Sequence, residues 1–113
     1  TLQDAQQSSA GPITTLWIVN SGLFGGGAIT SGFFSVVNST ALYDDSGAIP
    51  GYNGYYAINY SLDGINWYTP ASGILPVGSI PADSSIPIYL RYNPSSNIPL
   101  GSILSYIRFT YTV

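Results

Sequence analysis

The chain has 113 residues, enough for one domain around a single hydrophobic core. Only 6% of its residues are charged, against about 25% in an ordinary globular domain, and Lys, Glu, His, Cys and Met are all missing. The net charge of −3 and the presence of only two cations, Arg91 and Arg108, exclude a basic surface for phosphate groups, so we expect no nucleic-acid partner.

The first twelve residues are mostly polar and end at Gly11-Pro12. We interpret residues 1–12 as an N-terminal tail or connector and residues 13–113 as the folded domain. No later stretch reaches the roughly 20 consecutive apolar residues that a membrane helix needs, so we expect no membrane insertion of the mature chain.

From Ile13 onward the sequence is typical of an all-β domain. Runs rich in Ile, Val, Tyr, Phe and Thr are interrupted by Gly, Pro, Asn and Ser about every ten residues, as in proteins built of short strands. The first two strands are predicted near Ile13–Asn20 and Ala28–Val37. No capped window with helical periodicity stands out.

The clearest local pattern surrounds Asp63-Gly64. Alternating runs flank this dipeptide, which predicts a two-residue type I′ hairpin with Leu62 opposite Ile65 and Tyr60 opposite Trp67. In that register Asn59 and Ser61 point outward. The side chains predicted for the core are Ile58, Tyr60, Leu62, Ile65 and Trp67.

Two later strands also alternate. Ile86, Ile88, Leu90 and Tyr92 share one face of the first, and Ile107, Phe109, Tyr111 and Val113 share one face of the second. Arg91 and Arg108 are then expected in solvent, and Pro87 is expected at a sheet edge or a bulge because it has no backbone donor. With one or two weaker strands the count is about seven, which predicts a β-sandwich.

Three stretches resemble the immunoglobulin-like β-sandwich domains of prokaryotic secreted and surface proteins. These are Leu16–Leu23, Tyr60–Trp67, and Ile88–Ser96 followed by Leu100-Gly101-Ser102. The resemblance implies a single immunoglobulin-like sandwich of about seven strands with an N-terminal extension.

Within that group, the low charge, the Tyr- and Asn-rich composition and the polar tail resemble subunits of archaeal extracellular filaments of the thread and bundling-pilus type. The resemblance implies an extracellular homopolymer assembled by donor-strand complementation. The chain departs from the pattern in lacking Lys, so the Lys–Asn crosslinks that such filaments carry cannot form here. It also lacks the long apolar N-terminal helix of type IV-like pilins.

Assembly and modification sites follow from this interpretation. A pocket-filling donor strand needs apolar side chains, which makes Leu2, Ile13, Leu16 and Ile18 the assembly candidates, with Leu16 or Ile18 expected against a neighbouring subunit. Asn38-Ser39-Thr40 and Asn59-Tyr60-Ser61 are acceptor patterns for possible glycans, and both Asn38 and Asn59 are expected on the surface.

We expect neither catalysis nor a cofactor or metal. Without His, Lys or Cys, a Ser nucleophile has only Asp to activate it, and an Asp63–Asp83 glycosidase pair is less plausible than two turn-forming residues. The Asp44–Gly47 segment lacks calcium-loop spacing. Ser61–Trp67 is similar to the Asp-box of sialidase-like propellers but one residue short.

Two other functions stay open. One is a capsid or spike sandwich of a virion. The other is a carbohydrate-binding or adhesion module, in which a tyrosine cluster stacks on sugar rings. The tyrosines of that cluster are Tyr52, Tyr55, Tyr56, Tyr60 and Tyr68.

Overall fold

A computed structural model describes residues 10–22, 27–39, 43–44, 47–48, 57–93 and 105–113. Their regular structure is entirely β, as predicted. The strands are β1 (Thr14–Asn20), β2 (Ile29–Ser39), β3 (Tyr43–Asp44), β4 (Gly47–Ala48), β5 (Ile58–Ser61), β6 (Leu75–Ile80), β7 (Ser84–Tyr92) and β8 (Ser105–Thr112). Over the described residues, no helix is long and apolar enough to cross a membrane.

The strands form two antiparallel three-stranded sheets and one short ladder. The first sheet has the order β1-β7-β5 and the second has the order β6-β2-β8, while β3 pairs only with β4. The arrangement is consistent with a β-sandwich. Over the described ranges its two sheets hold six strands, where the sequence predicted about seven.

The strands with the cleanest alternation were located correctly. β1 and β2 coincide with the two predicted N-terminal strands to within two residues. In β7, Ile88 and Leu90 are buried and Ile86 and Tyr92 pack against the core, so these four side chains share one face as predicted. Period-two alternation places successive side chains on opposite faces, which is why these assignments succeed.

The core lies between the two sheets. Phe34 of β2 and Tyr60 of β5 meet edge to face with their ring centroids 5.5 Å apart, and both are fully buried. The Tyr60 hydroxyl donates to the carbonyl oxygens of Thr69 and Gly73, which ties the core to the segment leading into β6. The remaining buried members of the cluster are Val36, Ile58, Leu75, Ile88 and Leu90.

The hairpin register predicted at Asp63-Gly64 is wrong by one residue. Tyr60 pairs with Tyr68, through hydrogen bonds of 3.0 and 2.8 Å between their backbones, and not with Trp67. The chain reverses over residues 61–67, a longer connection than a two-residue turn. Leu62 and Ile65, which were predicted in the core, are exposed.

The Asp63 side chain accounts for the longer loop. Its Oδ1 accepts hydrogen bonds from the backbone N–H groups of Ile65 and Asn66, both 2.8 Å long, and from the Ser61 hydroxyl. Its Oδ2 accepts from the Asn66 side-chain amide. Gly64 has a φ of +75°, so the positive φ expected at this position is present within a different turn.

Pro87 lies near the start of β7, the central strand of its sheet, at a level where the described strands leave β7 a local edge, as expected. β7 has β1 on one side, where Pro87 faces Trp17, and β5 on the other. However, β5 pairs only with residues Tyr89–Tyr92, so β7 has a single described neighbour at the level of Pro87. A missing backbone donor is tolerated there because the ladder on that side has already ended.

Candidate subunit interface

Each of the two sheets has two outer strands, and in each sheet one of them is poorly suited to pairing. β5 has only four residues. β6 contains Pro76 and a glycine with a φ of +83°, Gly78, and its register with β2 shifts twice. Short length, proline and bulges are the features by which natural sheets prevent edge-to-edge association.

The other two outer strands lack these features. β1 has seven residues with no charge, no proline and no glycine, and β8 has eight residues with Arg108 as its only charge. Among the described residues, β1 pairs only with β7 and β8 pairs only with β2. Within the described part of the chain, each therefore presents an unpaired row of backbone donors and acceptors, and the two rows have nearly the same length.

The inward-facing side of β8 carries exposed apolar side chains. Phe109 faces Phe34 and Ile107 faces Val36 in the ladder with β2, so both lie on the side of the sheet that holds the core. Phe109 is half-buried and stacks on Tyr111, but Ile107 and Tyr111 are 53% and 60% exposed. The opposing sheet thus leaves much of this side of β8 uncovered.

The outward side of β1 is apolar as well. Trp17 and Val19 are 57% and 64% exposed, while the alternate residues Leu16 and Ile18 pack against the core of their own chain. Burial of Leu16 or Ile18 against a neighbouring subunit stays a prediction, since within the single chain both are only partly buried. Both are held in place because β1 pairs along its whole length with β7.

The other assembly candidates have different outcomes. Ile13 is exposed just before β1, and Leu2 lies outside the described residues. The end of the predicted tail is attached to the domain, since the Gly11 N–H donates to the Tyr92 carbonyl over 2.7 Å. The sequence patterns did not single out Trp17 and Val19. The run Leu16-Trp17-Ile18-Val19 is the signal for them. A strand that is apolar on both faces has a second apolar surface outside the core.

Asn59 is not the surface residue predicted. It is only 4% exposed, and its Oδ1 accepts a 3.1 Å hydrogen bond from Arg91 Nε. Ser61, the third residue of the acceptor pattern, is fully buried. The folded domain therefore has no room for a glycan at Asn59. The side chain of Asn38 lies outside the described part of the chain.

Arg91 is also less exposed than predicted. Its guanidinium carbon lies 4.1 Å from the centre of the Trp67 ring, a cation–π contact, and its side chain is half-buried. Trp67 was predicted to point into the core. Instead its ring stacks on the Arg91 guanidinium. The Nε of Arg91 donates to Asn59, which is buried on the outward side of β5, opposite the core. Arg108 is exposed, as predicted.

The Asp63 carboxylate is bound within its own loop. The four hydrogen bonds to Asp63 hold the pKa of its carboxyl well below its usual range, the two from the Asn66 and Ile65 backbone being the strongest. Its oxygens are thus occupied by donors of its own loop. No group of three or more potential metal-ligating residues occurs in the described ranges, while Asp45 and Ser46 lie outside them.

The tyrosine cluster is divided by the fold. Tyr60 is fully buried in the core and Tyr68 is half-buried beside it, with ring centroids 6.3 Å apart. A buried ring cannot stack on a sugar, so Tyr60 is excluded from such a platform. Tyr52, Tyr55 and Tyr56 lie outside the described residues.

Comparison with protein-family models, with curated proteins and with solved structures finds no match to this chain.

Proposed function

We propose that the chain is a structural subunit of an extracellular filament of the archaeal thread or bundling-pilus type, built on an immunoglobulin-like variant of the sandwich. The copies form a homopolymer by donor-strand complementation, in which a strand from the N-terminal part of one copy completes a sheet of the next.

One observation carries the proposal, namely that β1 and β8 each have an edge with no partner strand among the residues that the structure describes, with exposed apolar side chains beside it. Large apolar side chains in this arrangement are a liability in a protein that stays monomeric. In a polymer the same strands are paired and covered. The low charge supports this, because 6% charged residues give little repulsion between copies.

Electron microscopy of the purified full chain, combined with sedimentation over a range of concentrations, tests the proposal. Uniform fibres that lengthen above a threshold concentration are the expected result. Closed particles would favour the virion alternative. A monomer at all concentrations would contradict the filament function and leave the adhesion module as the better hypothesis.

A further inference from the structure

We propose that the free edge of β1 in one copy pairs with the free edge of β8 in the next copy, while β1 remains in its own sheet. The inference rests on the filament function proposed above, but here the contact joins two strand edges and no donor strand from the N-terminus is inserted. The partner is a second copy of the chain, and the contact is head to tail.

The edges of β1 and β8 match in length and composition. β1 spans Thr14–Asn20 and β8 spans Ser105–Thr112, seven residues against eight, and neither contains proline or glycine. A free strand edge is best satisfied by another extended strand of similar length, because every backbone donor then meets an acceptor. The chain carries one such edge in each sheet, so a second copy supplies what each edge lacks.

Both edges also carry exposed apolar side chains that can pair across the contact. On β1 the exposed apolar side chains are Trp17 and Val19, two residues apart, and on β8 the exposed residues Ile107 and Tyr111 share one face. Pairing that places these two faces on the same side brings aromatic and branched side chains next to each other across the strands. Such cross-strand pairs are the favourable ones in sheets, and a slip by one residue would move them to opposite faces.

Charge and symmetry favour the β1–β8 contact over a β8–β8 or a β1–β1 contact between copies. Two β8 edges pairing with each other would bring two Arg108 side chains into one short ladder, and like charges opposite one another are destabilising. β1 carries no charge, so Arg108 meets no like charge from it. Two β1 edges pairing with each other would close a dimer and leave both β8 edges uncovered, whereas the head-to-tail contact propagates.

The contact leaves the domain intact. Leu16 and Ile18 keep their places in the core, and β1 keeps its ladder with β7. Residues 1–12 are then dispensable for the contact, which separates this proposal from insertion of the tail alone.

Engineered cysteines test the pairing directly, since the chain has no cysteine of its own. Four double variants combine Trp17→Cys or Val19→Cys with Ile107→Cys or Tyr111→Cys, which allows for registers that differ by two residues. After oxidation during assembly, we expect at least one double variant to give a ladder of dimers, trimers and longer chains on non-reducing gels. The corresponding single variants are expected to stay monomeric. The Ser85→Cys/Ile107→Cys variant is the control, because Ser85 is the neighbour of Val19 on the central strand β7.

A lysine variant and a deletion complete the test. Val19→Lys should raise the threshold concentration for fibres by roughly tenfold or more, whereas Ser85→Lys should leave it within about twofold. A chain lacking residues 1–12 should still form fibres.

Dimers from the single-cysteine variants would overturn the head-to-tail contact. Fibres that form without any cysteine ladder, or that are lost from a folded chain lacking residues 1–12, would also overturn it while the filament function stands. If the unmodified chain forms no fibres at all, both proposals fall.

Discussion

The segment from β5 to β6 and the strand β8 differ in how far the rest of the chain provides partners for their side chains. In the first, Asp63 has hydrogen-bond partners within its own loop, Asn59 has one on the adjacent strand, and the Tyr60 hydroxyl has one 9 residues along the chain. In β8, the apolar residues Ile107 and Tyr111 face the side of the core but remain more than half exposed. The comparison indicates that the first segment has its polar groups satisfied within the domain, although Leu62, Ile65 and Ile74 are exposed, whereas β8 has an apolar surface that a neighbour could cover.

The largest loss of stability is expected when an aromatic ring that packs on Tyr60 is removed from the core. Phe34→Ala deletes a fully buried ring that packs against Tyr60, and we expect it to lower the free energy of unfolding by about 3–5 kcal/mol. Urea denaturation followed by fluorescence measures the change. Phe33→Ala is the matched control, since Phe33 directly precedes Phe34 in β2 and is exposed; a loss as large as that of Phe34→Ala would contradict the assigned faces.

A smaller effect is expected where β2 and β8 are in closest contact. A Cβ atom added at Gly32 would lie 2.8 Å from the Phe109 ring. Gly32→Ala should push that ring outward and cost about 1 kcal/mol, because a ring on an outer strand can move more easily than one in the core. Gly27→Ala, which meets no atom within 4 Å, should change thermal stability little. Equal stability of the two variants would show that the Phe109 ring is not held over Gly32.

The loop at Asp63 should make stability depend on acidity. Its pKa is lower in the folded chain than in the unfolded chain, so the stability it contributes is present above the ordinary carboxyl pKa of about 4 and is lost as the pH falls below that value. The melting temperature measured from pH 6 to pH 2 should decline less steeply for Asp63→Asn than for the unmodified protein. An unchanged slope for Asp63→Asn would show that the hydrogen bonds to its carboxylate contribute little.

The smallest effect on folding is expected at the surface of β1. Trp17→Thr keeps a residue suited to strands and removes an exposed ring, so the unfolding free energy of the monomer should stay within about 0.5 kcal/mol. Assembly should weaken nonetheless, as a higher threshold concentration in light scattering. A large loss of monomer stability would instead mean that Trp17 is part of the core of its own domain.

Local sequence patterns are sufficient to locate the elements whose side chains alternate. The positions of β1 and β2, the shared face of Ile86, Ile88, Leu90 and Tyr92, and the chain reversal near Gly64 could all be predicted, because each depends on neighbours in the chain. The exposed apolar side of β1 could also have been predicted from its run of four apolar residues.

Contacts between distant parts of the chain determine which face of each strand is covered, and which residues cover it. Asn59 is buried on the side opposite the core because Arg91, held by Trp67, reaches across from β7. Leu16 and Ile18 belong to their own core because β1 pairs with β7, and Pro87 is tolerated in a central strand because β5 ends before it. Alternation divides a strand into two faces, but burial depends on contacts between residues far apart in the sequence, and local patterns do not contain that information.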